Sequence, residues 1–201
     1  MKFKTIAIIS LFLACASISN AGMVHDISVD PASIQNAYIG WADGSDAENY
    51  TMIVTGNQSL SPGTVLGSFT DAPDDPNIWV YNGFENDTGF AWTDYHVVVK
   101  MDHPFNLSNA AVDPPITDWT ATPVALTPAV LEGGLYVGNV DYYSGTPVPI
   151  AGELDFHYKI SFTGYSSTNY LQELYPTPEP GTLVLLVCGV LGLLAVRRRF
   201  A

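Results

Sequence analysis

Apolar and polar residues alternate with period two along two long stretches of the chain. In Leu154–Phe162, the residues Leu154, Phe156, Tyr158, Ile160 and Phe162 fall on one side, and Asp155, His157, Lys159 and Ser161 on the other. In Thr88–Met101, Tyr95, Val97, Val99 and Met101 share a face opposite Asp94, His96, Val98 and Lys100. This alternation predicts antiparallel strands with one face buried and one wet. Weaker runs predict further strands at Val24–Val29, Ala37–Trp41, Tyr50–Thr55, Thr64–Phe69, Ile78–Tyr81, Ile116–Thr120 and Leu135–Tyr143. Turn formers separate them, among them Asp43-Gly44-Ser45, Ser61-Pro62-Gly63, Asp113-Pro114-Pro115, Gly133-Gly134 and Ser144 to Pro147. Gly frees φ, Pro fixes it, and Asp closes an Asx turn, so each makes a reversal cheap. A short helix fits only Phe105–Ala111. The expected fold is all-β: a two-sheet antiparallel sandwich of about nine strands.

The two ends break this pattern. Lys2 and Lys4 precede a mostly apolar stretch from Thr5 to Ser17, and Ser19-Asn20-Ala21 supplies small residues for a signal peptidase. Residues 1–21 are therefore expected to be a signal peptide cleaved after Ala21. Leu13-Ala14-Cys15 resembles the end of a lipoprotein box, although Phe12 and Leu13 fit that pattern poorly. At the other end, Leu171 to Pro180 reads as a short hinge. Pro178-Glu179-Pro180 and Gly181-Thr182 then lead into an apolar run of 14 residues, Leu183 to Val196, followed by Arg197, Arg198 and Arg199. As a helix the run spans about 21 Å, short of the roughly 30 Å of a bilayer core. The arginines snorkel and extend its reach. With Glu179 on the opposite flank, they orient a transmembrane helix with its C-terminus in the cytoplasm.

A proline-flanked glutamate, an apolar helix and a terminal basic cluster, in that order at the C-terminus, resemble the tail of PEP-CTERM sorting-domain proteins. The resemblance assigns residues 176–201 to a sorting tail. It implies export, an exosortase as processing partner, and an exopolysaccharide or biofilm-matrix setting at the cell surface. Asn86-Asp87-Thr88-Gly89 through Trp92-Thr93-Asp94-Tyr95-His96-Val97 is also similar to segments of other exported proteins with this tail. That second likeness implies an extracellular sandwich and nothing catalytic.

What lies between the ends, residues 22–175, is long enough for one domain with a proper core. Both cysteines, Cys15 and Cys188, fall in the end segments, so the domain has no disulfide to rely on. Its only bases besides histidine are Lys100 and Lys159, set against nineteen acids, for a net charge of −17. Such a surface repels phosphate backbones and excludes nucleic acid as a partner.

Candidate chemistry is sparse. There is no Gly-x-Ser-x-Gly elbow, no cysteine nucleophile in the domain and no phosphate-binding glycine loop, so no catalytic residue is assigned. His25, His96, His103 and His157 form no zinc signature. His96 and His157, both on outward faces, are candidates to pair across strands, with the plainer alternative of imidazoles beside Asp94 or Asp155. Asp43, Asp46 and Glu48, and Asp71, Asp74 and Asp75, supply hard oxygens of the kind calcium takes. Neither segment fits an EF-hand loop, and Asp beside Gly or Pro usually makes a turn, so no cofactor is expected, with calcium as the alternative. Trp41, Trp79, Trp92 and Trp119 are mostly core material. Trp92 stands out as the one sharing a face with Asp94 and His96. The domain thus reads as a non-catalytic structural or binding module. A glycan-active enzyme and a calcium-dependent adhesive domain are the alternatives.

Overall fold

The computed structural model describes residues 23–43, 49–70, 75–163 and 167–178. The described residues form two β-sheets and no helix. In one sheet the spatial order is β1 (Val24–Val29), β4 (Gly63–Thr70), β13 (Ser167–Pro178), β6 (Trp92–Met101), β11 (Leu135–Tyr143) and β10 (Val130–Glu132). β8 (Thr120–Thr122) also pairs with β11. In the other sheet the order is β2 (Ile34–Asp43), β3 (Asn49–Gln58), β5 (Asn77–Asn86), β12 (Glu153–Phe162), β7 (Phe105–Asp113) and β9 (Thr127–Pro128). We call them the first and second sheet. All pairings are antiparallel except that of β3 with β5, because the chain crosses to the first sheet as β4 before returning.

The two cleanly alternating stretches behave as their pattern requires. All five inward residues of Leu154–Phe162 are buried, as are Tyr95, Val97, Val99 and Met101, while their neighbours are half-exposed. Phe156 sits at the centre of an aromatic cluster with Phe84, Tyr95 and Tyr142, ring centroids 6.2, 5.1 and 4.7 Å away. Aromatic pairs at this spacing add to the burial of apolar area that drives the sheets together.

Three expectations are corrected. Phe105–Ala111 is not a helix but most of β7. An extra residue bulges β7 where Ser108 and Ala111 pair with Lys159 and His157, and Asn109 takes φ +56° there. The bulge carries the inward positions from Leu107 to Ala110, a spacing of three that imitates a helical face. Ile116–Thr120 is not a strand: only Thr120–Thr122 pairs, and Trp119 instead turns inward and donates its Nε1–H to the Thr146 carbonyl at 2.7 Å.

The third correction concerns the supposed hinge. Leu171 to Pro178 belongs to β13, a central strand between β4 and β6. Its inward positions are Thr168, Tyr170, Gln172, Leu174 and Pro176, all buried. The polar members hide the alternation. Gln172 is buried because Tyr170 donates to its Oε1 at 2.6 Å and its own Nε2 donates to Asn82 Oδ1 at 3.0 Å, bridging the two sheets. Buried polar groups need such partners. Pro176 and Pro178 lie past Leu174, the last residue paired with β4. They are tolerated there because that edge of the strand is open. The sandwich thus includes residues up to Pro178. A chain ending at Tyr175 loses the Pro176–Pro178 pairing and the Thr177 Oγ1 bond to the Asp94 carbonyl at 3.2 Å. We expect it to be about 1–3 kcal/mol less stable in urea than one ending at Thr182. Equal midpoints would show that the last three residues add nothing to the sheet.

Candidate functional site

The sequence-predicted residues scatter over the molecule. Asp43 ends β2, and Asp75 is exposed with φ +51°. Asp46, Glu48, Asp71 and Asp74 lie outside the described residues, as do Ala21, Glu179, Pro180, the helix expected from Leu183 to Val196, and the three arginines. Among the described residues no three His, Cys, Asp or Glu side chains are grouped to hold a metal ion. His96 and His157 do not meet, because they sit on different sheets. His96 Nδ1 lies 2.7 Å from Asp141 Oδ1, and His157 Nδ1 lies 2.8 Å from Asp113 Oδ2, rather than beside Asp94 and Asp155. His25 stacks on Trp41 with centroids 4.3 Å apart, and the His103 ring lies 3.9 Å from Asp102.

Trp92 is the clearest departure. It is fully buried and does not share the outward face of Asp94 and His96. Asp94 pairs with Thr177 while Trp92 pairs with Pro178, so Thr93 is an extra residue that reverses the side on which Trp92 projects. The surrounding motif is a lock. Asn86 Oδ1 accepts from the Thr88 N–H at 3.0 Å and from Thr88 Oγ1 at 2.8 Å. Asn86 Nδ2 donates to the Phe90, Val148 and Pro149 carbonyls. Thr88 Oγ1 in turn accepts the indole N–H of Trp92 at 2.8 Å. Gly89 takes φ +83°, a conformation that favours glycine. The motif therefore closes the corner between β5 and β6.

The outward face of the second sheet gathers the groups that do carry binding chemistry. Registers place Ile53, Tyr81, His157 and Ala111 in one row across β3, β5, β12 and β7, and Thr55, Gly83, Asp155 and Asp113 in the next. A third row holds Asn57, Glu85 and Glu153. Trp79, Tyr81 and His157 form a contiguous aromatic patch, with the His157 ring 5.1 Å from Tyr81 and 5.8 Å from Trp79. Tyr81 is 38% exposed. Two shallow depressions meet at Thr55 and Gly83. One, of about 320 Å³, is lined by Ile53, Thr55, Tyr81, Gly83, Asp113 and Asp155. The other, of about 360 Å³, extends over Asn57, Glu85 and Glu153. Together they form a trough, apolar toward Tyr81 and Ile53 and polar toward Asn57 and Glu85. Its floor exists because residue 83 has no side chain: a Cβ there would stand 2.6 Å from Asp155 Oδ1.

That arrangement perturbs Asp155. Burial over Gly83, then the charges of Glu153 and Asp113, push its carboxyl up to about 6. The folded state therefore binds this proton more tightly than the unfolded chain. Ionisation of Asp155 costs stability, fully above the folded value and not at all below the ordinary carboxylate range. Allowing for solvent screening of a half-exposed group, Asp155→Asn is expected to gain on the order of 1 kcal/mol at pH 7.5. The gain should fade between pH 6 and pH 4. A pH-independent difference between the two proteins in denaturant unfolding would refute this.

Sequence reasoning missed the trough. Its members come from five strands, and only the period-two placement of Trp79 and Tyr81, with Asp155 and His157 on the outward side, hinted at it. The comparisons with known proteins bear on the other end of the chain. No curated protein and no solved structure matches this chain. Residues 176–199 match the family model of the PEP-CTERM protein-sorting motif, so the match begins within β13. The chain thus carries a PEP-CTERM protein-sorting motif in its C-terminal segment, the signal of an exported protein targeted to exosortase processing.

Proposed function

We propose that the exported sandwich is a non-catalytic binding module of the cell surface or matrix, and that its ligand is an extracellular polysaccharide. The signal peptide directs export and is removed after Ala21. The helix from Leu183 to Val196, with Arg197, Arg198 and Arg199 on the cytoplasmic side, holds the protein in the membrane. Processing at Pro178-Glu179-Pro180 then passes it outward. The observation that carries the binding reading is the trough on the second sheet. The exposed Tyr81 ring, backed by the half-buried Trp79 and His157, stands beside a glycine floor and a line of carboxylates and amides. A pyranose has an apolar face that stacks on aromatic rings and a rim of hydroxyls that bonds to carboxylates and amides. All but one of the lining residues lie on strands of the second sheet, so the trough is open and suits an extended polymer better than an enclosed small molecule.

Polysaccharide from a host with an exosortase, immobilised and probed with the full chain in detergent, tests this reading. Wild type should be retained, and Tyr81→Ala should bind at least tenfold more weakly. Equal retention of the two would refute the assignment of the trough. One observation favours a second reading, an exported glycan-active enzyme: Asp155 lies directly across from Asp113, and a carboxyl titrating near 6 suits a general acid. New reducing ends that appear with wild type and not with Asp155→Asn would favour the enzyme over the binding module.

A further inference from the structure

The charge pattern of the trough narrows its ligand. On neighbouring strands, Asp155 faces Asp113 and Glu153 faces Glu85. Like charges directly opposite one another destabilise a sheet, so this face keeps an arrangement that works against its own folding. Little in the domain offsets it. Of the two lysines, Lys100 is held on the first sheet by Glu173 at 2.7 Å. Lys159 stands 6.0 Å over the Trp79 ring, on the row beyond His157 and away from Glu153. His157 meets only Asp113 in this group, and Asn57 Nδ2 donates to Glu85 at 2.9 Å and to Asp87 at 3.2 Å. Asp155 and Glu153 thus face the trough without a cationic partner among the described residues. Around Asp155, β5 contributes Tyr81 and Glu85, β7 contributes Asp113, and β12 contributes Glu153 and His157. β3 contributes only the uncharged Thr55.

We propose that the trough binds a polysaccharide whose sugars carry free amino groups. This rests on the polysaccharide reading above and specifies the chemistry of the sugar. A pyranose ring stacked on Tyr81 brings its substituents over Gly83, between Asp155 and Asp113 on one side and Glu85 and Glu153 on the other. An ammonium group there donates charge-assisted hydrogen bonds to the carboxylates and relieves the repulsion between them. The aromatic patch adds cation–π attraction. An acidic polysaccharide meets like charge both in the trough and over a domain of net charge −17. The domain accordingly selects amine-bearing polymer over its acetylated form, and both over uronate polymers.

Calorimetric titration of the full chain in detergent at pH 7 tests the inference with three probes: a glucosamine hexamer, the same hexamer fully N-acetylated, and an oligogalacturonate of equal length. The amine form should bind at least tenfold more tightly than the acetylated form, and the uronate should not bind. The advantage of the amine should shrink several-fold in 0.5 M salt. Asp155→Asn should lose most of that advantage while resisting denaturant at least as well as wild type at pH 7, a result that loss of folding cannot imitate. If the amine and acetylated forms bind wild type equally, or the uronate binds as tightly as the amine, the amine preference is wrong and the polysaccharide reading survives. If none of the three binds and native polysaccharide is not retained either, both fall.

Discussion

Phe156→Ala is expected to cost about 3–5 kcal/mol, a large share of the stability of an ordinary domain. Phe156 lies in the middle of β12, paired on both sides, and is fully buried. Its ring meets Phe84 from its own sheet and Tyr95 and Tyr142 from the other. Removing the ring forfeits its transfer free energy and leaves a hole bounded by three aromatic side chains, two of which are tied down by their hydroxyls. Tyr142 donates to the His157 carbonyl at 2.9 Å, and Tyr95 donates to Gln58 Oε1. Rings fixed in this way cannot collapse into the space, so the cavity term persists. For a domain of this size the melting temperature should fall by roughly 10–15 °C. Lys159→Ala, three residues along on the outward face, should shift stability by no more than about 0.5 kcal/mol. Denaturant unfolding of the two variants checks both values. A loss below about 1 kcal/mol for Phe156→Ala would mean that the sheets do not pack around this ring.

The second large effect is expected at Asn86. Its amide makes three donations and receives two bonds, which tie the corner joining β5 to β6 to Val148 and Pro149 in the segment before β12. Asn86→Ala removes these donations and frees Thr88, which holds the Trp92 indole; the Val148 and Pro149 carbonyls keep the Trp92 and Gly152 N–H groups, and the Phe90 carbonyl loses its strongest donor. Each intramolecular hydrogen bond lost is worth about 0.5–1.5 kcal/mol net. We expect a total of about 3 kcal/mol, together with a change in Trp92 fluorescence as its environment loosens. Asn86→Asp is a sharper test of geometry. It keeps the acceptor for Thr88 and removes the three donations, so its loss should approach that of alanine. If Asn86→Asp were as stable as wild type, the donor side of the lock would be unimportant.

Wherever strand alternation is unbroken, the fold could be read from the chain. Every inward residue assigned in β12 and in β6 from Tyr95 onward is buried, and the bounds of β1 and β11 coincide with their predicted runs. Reading failed where a bulge shifts the period by one residue. In β7 the shift imitated a helix, and at Thr93 it sent Trp92 to the opposite face. It failed again where polar residues are buried. Thr168 and Gln172 occupy core positions of β13 only because Asp102 and Asn82 stand ready to bond them, and those partners are 66 and 90 residues away along the chain. No local pattern encodes such a partner. The trough was hidden for the same reason. Its rows are assembled by register across β3, β5, β12 and β7, whereas the sorting segment, being contiguous, was legible from its own residues.

Hydroxyl-radical footprinting of the full chain, with and without a saturating amino-sugar oligomer, tests the binding account most directly. Tyr81 lines the trough and is partly exposed, while Tyr175 and Tyr143 are partly exposed on the first sheet. The account predicts that ligand protects Tyr81 and Trp79 from oxidation several-fold and leaves Tyr143 and Tyr175 unchanged. Protection confined to the first sheet, or unchanged oxidation of Tyr81 under conditions where the oligomer binds, would contradict it.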